Sequence, residues 1–368
     1  MRSFQCIALF FIGCGYTRGE NEIGTPVFQF DHQRKCTNGS YTRGHWERVP
    51  YPQNGVAGLR TAYPTVGPFG EVEASFRSSF PGEVRDPTSY QWVPNNCDLQ
   101  DFSTERFCAA LGDRSILFVG DSTMHELVIA LMHQMNLDTE CEMDRMSQGY
   151  RKVSICPGKP NKISFISNVL LTYDKGVDPQ HLLPDKEVYK RCMPYFPPGR
   201  KKVCLPWASF SNDFDVVVLK SGLHMLGKTD RYMRLLRGAL AALKDAKYDG
   251  KVFFVTSRAG HTFCDHEQYD PRGPGLVRGP ILPGQELSSY ENYRDELYAS
   301  YNWYAMPRFN QIAKKIFAEA GHKVIDAYPL LRLRPDGHRG KKDCLHYNLP
   351  GPPDQLVLLL YNAILDWI

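Results

Sequence analysis

The chain has 368 residues, of which 42% are hydrophobic and 23% charged. That length suits roughly two structural units, and the composition excludes wholesale disorder and a coiled coil. With 44 basic and 40 acidic residues the net charge is +4, too weak a bias to indicate a nucleic-acid partner. A core of this size needs no cysteine staples, so 11 cysteines raise a question of compartment or chemistry.

In chain order, residues 1–24 come first. Arg2, an apolar stretch from Cys6 to Gly13 and small residues at Gly13 and Gly15 form the pattern of a secretory signal peptide cleaved around residues 13–24. The apolar run is shorter than the ~20 residues that span a bilayer comfortably; a membrane anchor and a cytosolic location stand as alternatives. Cleavage would leave Cys36, Cys97, Cys108, Cys141, Cys156, Cys192, Cys204, Cys264 and Cys344. None forms a CxxC pair, so a structural zinc site is not expected. In an oxidising lumen they read as up to four disulfides and one free thiol, with the connectivity open. Asn38-Gly39-Ser40 is the single N-glycosylation sequon.

Residues 25–110 are assigned to a minor lobe. Within it, residues 25–100, rich in Pro, Gly, Tyr and Phe, read as loops with short strands stapled by Cys36 and Cys97. Residues 111–368 are assigned to an α/β domain. The run 115–120 (SILFVG) has the length and apolar content of a buried parallel strand, and 123–135 follows as a helix with Leu127, Ala130, Leu131 and Met135 at core spacing. Strands are predicted at 215–219, 251–256 and 322–327, and helices at about 230–244, 310–320 and 353–367. Strand–helix alternation of this kind implies a parallel sheet covered on both faces. The Pro- and Gly-rich stretch 268–286 reads as a long loop.

Two segments carry candidate chemistry. Gly120-Asp121-Ser122-Thr123 closes the first strand and opens a helix, where an open parallel sheet binds ligands and helix N–H groups favour developing negative charge. Alone, such a triplet is an ordinary helix cap. More than 200 residues later, Asp343-Cys344-Leu345-His346 supplies an acid and an imidazole three apart, expected in one turn. A serine hydroxyl needs a base, and the base needs an acceptor that fixes its tautomer. The two segments, in this order and so placed, are far less common together than either alone.

This pairing resembles the SGNH/GDSL-like hydrolase superfamily, and the surrounding text resembles the plant trichome birefringence-like proteins of the PC-esterase group. Tyr90-Gln91-Trp92-Val93-Pro94 with Cys97-Asp98-Leu99 and Phe102 is similar to their Y-x-W-x-P…C-D-L-x-x-F segment, and Leu117 to Ser122 to their F-V-G-D-S block. Arg334-Pro335-Asp336-Gly337-His338, then Asp343-Cys344-Leu345-His346-Tyr347, Leu349-Pro350-Gly351 and Pro353-Asp354, resembles their R-x-D-x-H…D-C-x-H-W-C-L-P-G-x-P-D ending. Cys36, Gly39 and Trp46 are a looser match to their C-x-x-G-x-W. The resemblance covers roughly residues 36–366.

It implies a three-layer α/β/α, flavodoxin-like sheet lobe with a smaller loop-rich, disulfide-stapled N-terminal lobe. It also implies a Ser122–His346–Asp343 triad. Beside it, Gly120, Ser221 and Gly222 are candidate oxyanion or site-lining groups and Asp121 is expected to cap or orient the turn. Arg334 and His338, twelve and eight residues before His346, are candidates to line the site, with solvated loop residues as the alternative. The activity so implied is O-acylation, most simply O-acetylation, of carbohydrate hydroxyls through an acyl-serine. The acyl would come from acetyl-CoA or another acetyl ester, with no bound cofactor and no metal. The partner would be a glycan or polysaccharide, the location the Golgi lumen or outside the cell, and the chain a monomer. A carbohydrate esterase with the same triad and a non-catalytic glycan-binding protein are the alternatives. Three departures stand out. Lys220-Ser221-Gly222-Leu223-His224 replaces the plant Asn-Thr-Gly-His, Asn348 replaces a Cys, and Met124-His125-Glu126 follows the nucleophile turn. An oxyanion donor is typically worth ~3 kcal/mol, so without that Asn the expected donors are the Ser122 and Gly222 N–H groups, or another side chain. His261-Thr262-Phe263-Cys264-Asp265-His266 reads as a structural loop in preference to a metal site.

Overall fold

The computed structural model describes residues 35–36, 39–48, 90–137, 153–171, 207–225, 229–261, 280–281, 303–340, 343–349 and 351–367. The leader segment, Asn38, Cys141, Cys192, Cys204, Cys264 and nearly all of the long 268–286 loop lie outside them.

Two short strands, β1 (Gly44–Arg48) and β2 (Tyr90–Pro94), pair antiparallel. Helix α1 (Thr104–Leu111) follows, its first turn capped by the Ser103 hydroxyl accepting from the Arg106 N–H. The sheet then opens with β3 (Ile116–Gly120) and α2 (Ser122–Gln134). Next come β4 (Val153–Ser154), β5 (Lys162–Ser167), β6 (Val216–Leu219) and α3 (Thr229–Asp245). The domain continues through β7 (Lys251–Val255), α4 (Met306–Glu319), β8 (Lys323–Ile325) and the short α5 (Tyr328–Leu331). A hairpin of β9 (His338–Gly340) and β10 (Asp343–Tyr347) leads into α6 (Pro352–Leu365).

The main sheet runs β4-β5-β3-β6-β7-β8, all parallel except the edge strand β4. Leaving β4 aside, its order is 2-1-3-4-5, the flavodoxin-like winding, whose switch point lies between the first and third strands. Those strands are β3 and β6, so their carboxyl ends at Gly120 and Leu219 mark where a ligand site belongs. The two-residue period of a strand divides the core. Ile116, Phe118, Val216 and Val218 join the layer of α2 and α6, while Leu117, Val119, Val217 and Leu219 join that of α3.

The four predicted strands and four predicted helices are present with boundaries shifted by a few residues. Strand β5 was not predicted. Its sequence KISFIS mixes polar and apolar residues without a continuous apolar run, yet Ser164 is fully buried, because pairing with β3 on one side and β4 on the other encloses it. The N-terminal hairpin does not build a core of its own. Tyr41, Trp46, Trp92 and Phe107 belong to the same apolar layer as α2 and α6. The Trp46 indole donates to the Leu330 carbonyl at 3.1 Å. Cys36–Cys97 staples this region as expected, and Cys108–Cys156 ties α1 to the segment after β4. Cys344 is also disulfide-bonded, so all five described cysteines are paired.

Candidate active site

The turn from β3 to α2 is fixed by Asp121. Its Oδ1 accepts from the Thr123 N–H at 2.9 Å, the Thr123 hydroxyl at 2.5 Å and the Met124 N–H at 3.3 Å, which caps a helix whose first N–H groups have no intrahelical partner. Asp121 is fully buried. Burial pushes its carboxyl up, but Lys220, His224, the Thr123 hydroxyl and Arg258 outweigh that and hold it below the ordinary carboxylate range. It therefore shapes the turn as an anion and leaves Ser122 exposed at the first position of α2. Gly120 is required by close packing. A Cβ there would lie 2.8 Å from the Met124 Cβ and 3.0 Å from the Lys220 carbonyl oxygen.

Ser122 Oγ lies 2.7 Å from Nε2 of His346, although the two are 224 positions apart. The segment holding His346 is strand β10 and not the turn expected from its spacing. Asp343 opposes Gly340 and Tyr347 opposes His338, so residues 344–346 of β10 face residue 339 alone. An irregularity of this kind re-aims side chains that strict alternation would send to opposite faces. Asp343 opens this strand three residues ahead of His346.

The other expected site residues are placed differently. Ser221 is buried and donates its hydroxyl to the Val169 carbonyl at 2.8 Å, so that hydroxyl is already engaged. Gly222 has φ +141°, and a Cβ there would stand 2.8 Å from Ser257 Oγ. Arg334 is buried and does not line the site. Its Nε and Nη2 reach Asp336 at 2.9 Å each, and its guanidinium lies over Trp46 at 4.3 Å and Tyr90 at 5.4 Å. It thus clamps the N-terminal hairpin to the loop before β9. His338 is buried behind His346, not beside Ser122, and its Nδ1 donates to the His346 carbonyl at 3.1 Å. Asn348, standing in place of a cysteine, ties its strand by hydrogen bonds instead. Its Nδ2 donates to the Gly337 carbonyl at 3.1 Å and the His338 carbonyl at 2.7 Å.

Charge beneath the β3–α2 turn was not foreseen. Arg258, in the segment after β7, forms a buried ion pair with Glu126 of α2 and donates from Nη2 to the Thr123 carbonyl at 3.2 Å. Lys220 follows β6 on the face shared with Val216 and Val218, its Cβ side toward Gly120. Its Nζ is fully buried, with no hydrogen-bond partner among the described residues. Burial, reinforced by Arg258 and opposed by Asp121 and Glu126, depresses it to about 7. Lys220 therefore belongs under α2. The available signal was a charge inside apolar text: Lys after DVVVL, Glu within a leucine-rich helix, Arg after KVFFVT.

No group of three or more His, Cys, Asp or Glu suited to a metal ion occurs among the described residues, and no described helix is long and apolar enough to cross a membrane.

A serine behind the first strand of a 2-1-3-4-5 sheet, within hydrogen-bond reach of a histidine just before the last helix, defines a flavodoxin-like α/β lobe with a serine–histidine pair at its switch point. No family model matches the chain. It is 22% identical to protein trichome birefringence-like 25 of Arabidopsis thaliana, over 75% of this chain and 68% of that protein. It is 21% identical to xyloglucan O-acetyltransferase 1 of the same plant, over 92% of this chain and 83% of that one. Among solved structures, the lipopolysaccharide acetyltransferase periplasmic domain of Salmonella ser. Paratyphi A covers 70% of this chain and 85% of its own, at 12% identity and a TM-score of 0.32. The chain is thus similar over most of its length to the trichome birefringence-like proteins, as its motifs indicate.

Proposed function

We propose that the chain is a serine-dependent O-acyltransferase, most simply an O-acetyltransferase, that modifies carbohydrate hydroxyls. The observation that carries this reading is the 2.7 Å contact between Ser122 Oγ and His346 Nε2 at the switch point of the sheet. Supporting it are two relatives named as a trichome birefringence-like protein and a xyloglucan O-acetyltransferase. In the proposed reaction His346 takes the Ser122 proton as Oγ attacks the donor's carbonyl, and returns it to the leaving group. The acyl-serine then passes its acyl group to a sugar hydroxyl that His346 deprotonates in turn, while Asp343 orients the imidazole. The oxyanion donors are the Ser122 N–H at the start of α2 and the Gly222 N–H. Acetyl-CoA or another acetyl ester is the donor, and a glycan in the secretory pathway the acceptor. A lumenal compartment suits a chain whose five described cysteines are all disulfide-bonded.

One observation favours a second reading. Ser122 is exposed, and an acyl-serine open to water would make the same machinery a carbohydrate esterase. Intact-mass spectrometry after incubation with an activated acetyl ester tests both. A one-acetyl adduct in the wild type that is absent in Ser122→Ala is expected, with turnover accelerated by glycan if the chain is a transferase. No adduct and no turnover with any donor would sink both.

A further inference from the structure

Two histidines meet directly behind the base. His261, in the segment after β7, places Nδ1 2.6 Å from Nε2 of His338. The outer nitrogen of each ring faces a backbone carbonyl: His261 Nε2 lies 2.9 Å from the Arg332 oxygen, and His338 Nδ1 lies 3.1 Å from the oxygen of His346. A carbonyl only accepts, so each outer contact takes an N–H from its ring, and a neutral imidazole has a single N–H. Two neutral rings would spend both protons outward and leave two lone pairs facing each other. One more proton completes all three contacts.

We propose that His261 and His338 hold one shared proton as a pair, and that this bridged pair is a positioning device for His346. The positioning role rests on reading His346 as the base; the shared proton does not. The bridge links the Arg332 carbonyl to the His346 carbonyl through two buried rings. His338 is further fixed by stacking on Tyr347, with centroids 4.2 Å apart and planes at 15°.

Several charged groups surround the pair. Asp336 acts on His261 and is itself paired with Arg334. The Arg258 guanidinium lies 4.9 Å over the Tyr347 ring, adding positive charge on the His338 side. Burial depresses His261 to about 4, opposed by the Arg332 carbonyl and Asp336. The lone-pair conflict at the centre adds a push toward protonation that acts on both rings at once, so they titrate as a coupled unit. The bridge is complete on the acid side and opens as pH rises, releasing one restraint on the His346 backbone.

The test is histidine-selective nitrogen NMR on the full chain across pH, with kinetics on an activated acetyl ester. The expected result is a strongly downfield bridging proton at acid pH and a single common step for His261 and His338, the bridging signal being lost in His261→Phe. Independent steps, or no bridging proton at any pH, would overturn the shared proton. For positioning, His261→Phe should lower kcat about 10-fold or more with KM kept, and remove one limb of the kcat–pH profile. His338→Gln, which keeps an N–H for the His346 carbonyl, should retain more activity than His338→Phe. Equal loss in both, or an unchanged pH profile, overturns the positioning role. A common NMR step without acylation of Ser122 would sink the enzymatic reading and leave the pair; acylation without that step would do the reverse.

Discussion

Lys220 provides a stringent test of the buried charges under the Ser122 turn. In the folded chain its ammonium is depressed from 10.5 to about 7, first by burial and then by Arg258, with Asp121 and Glu126 opposing. Between those two values the unfolded chain holds the proton and the native one has released it, so stability rises with pH across that window. At about 1.4 kcal/mol per pH unit, the interval from about 7 to 10.5 amounts to on the order of 5 kcal/mol. Lys220→Met keeps the length of the side chain and removes the titration. Urea denaturation at a series of pH values should therefore give a wild-type stability that rises relative to the variant from neutral to alkaline pH, while the buried tyrosines, raised by burial, pull both curves down alike as pH nears 10. The acid side should move the opposite way. Asp121 is held low by Lys220 ahead of its other charged and hydrogen-bonding partners, so its stabilisation is present above the ordinary carboxylate range and lost as pH falls. Without Lys220 that loss should begin at higher pH. Parallel wild-type and variant curves from neutral to alkaline pH would refute the assignment of a proton-releasing Lys220.

Other expectations are simpler to state. Arg258→Met leaves Glu126 as an uncompensated buried charge and should cost about 3–5 kcal/mol in chemical denaturation, much of it recovered in the Arg258→Met/Glu126→Met double variant. Equal losses in the single and double variants would contradict the pairing. Gly222→Ala places a Cβ at a backbone φ of +141° and 2.8 Å from Ser257 Oγ. A lower thermal midpoint is expected, corresponding to about 1–3 kcal/mol, with only part regained by adding Ser257→Ala. Removing Cys108–Cys156, which closes a separation of 48 residues, should cost about 4 kcal/mol on chain entropy, read as a shift in the denaturation midpoint under non-reducing conditions. Trp46→Phe deletes the indole N–H bonded to the Leu330 carbonyl and should cost about 1 kcal/mol without touching the Ser122–His346 contact.

What could be read from the chain itself followed the strength of local patterns. SILFVG, DVVVL and KVFFVT are continuous apolar runs, and only a sheet covered on both faces buries such strands completely. The nucleophile turn was legible for the same reason, because Gly120 and Asp121 are demanded by close packing and by helix capping within a few residues of Ser122. β5 was less legible, since its central Ser164 becomes buried only through neighbours far along the chain. The D-x-x-H segment was noticed as chemistry but misread as a turn. Its strand form depends on pairing with β9, which no spacing within the motif specifies.

Sequence alone therefore determined the α/β class, the order of the main elements and the pair Ser122 and His346 as candidates. Tertiary structure decided the rest. It turned Arg334 toward Trp46, and set His338 behind His346 and against His261. It also gathered Asp121, Glu126, Lys220 and Arg258 beneath one helix end. The physical reason is range. Strand, helix and cap preferences act over a few residues, whereas the protonation and orientation of a buried polar group depend on partners that only the folded sheet brings within a few ångströms.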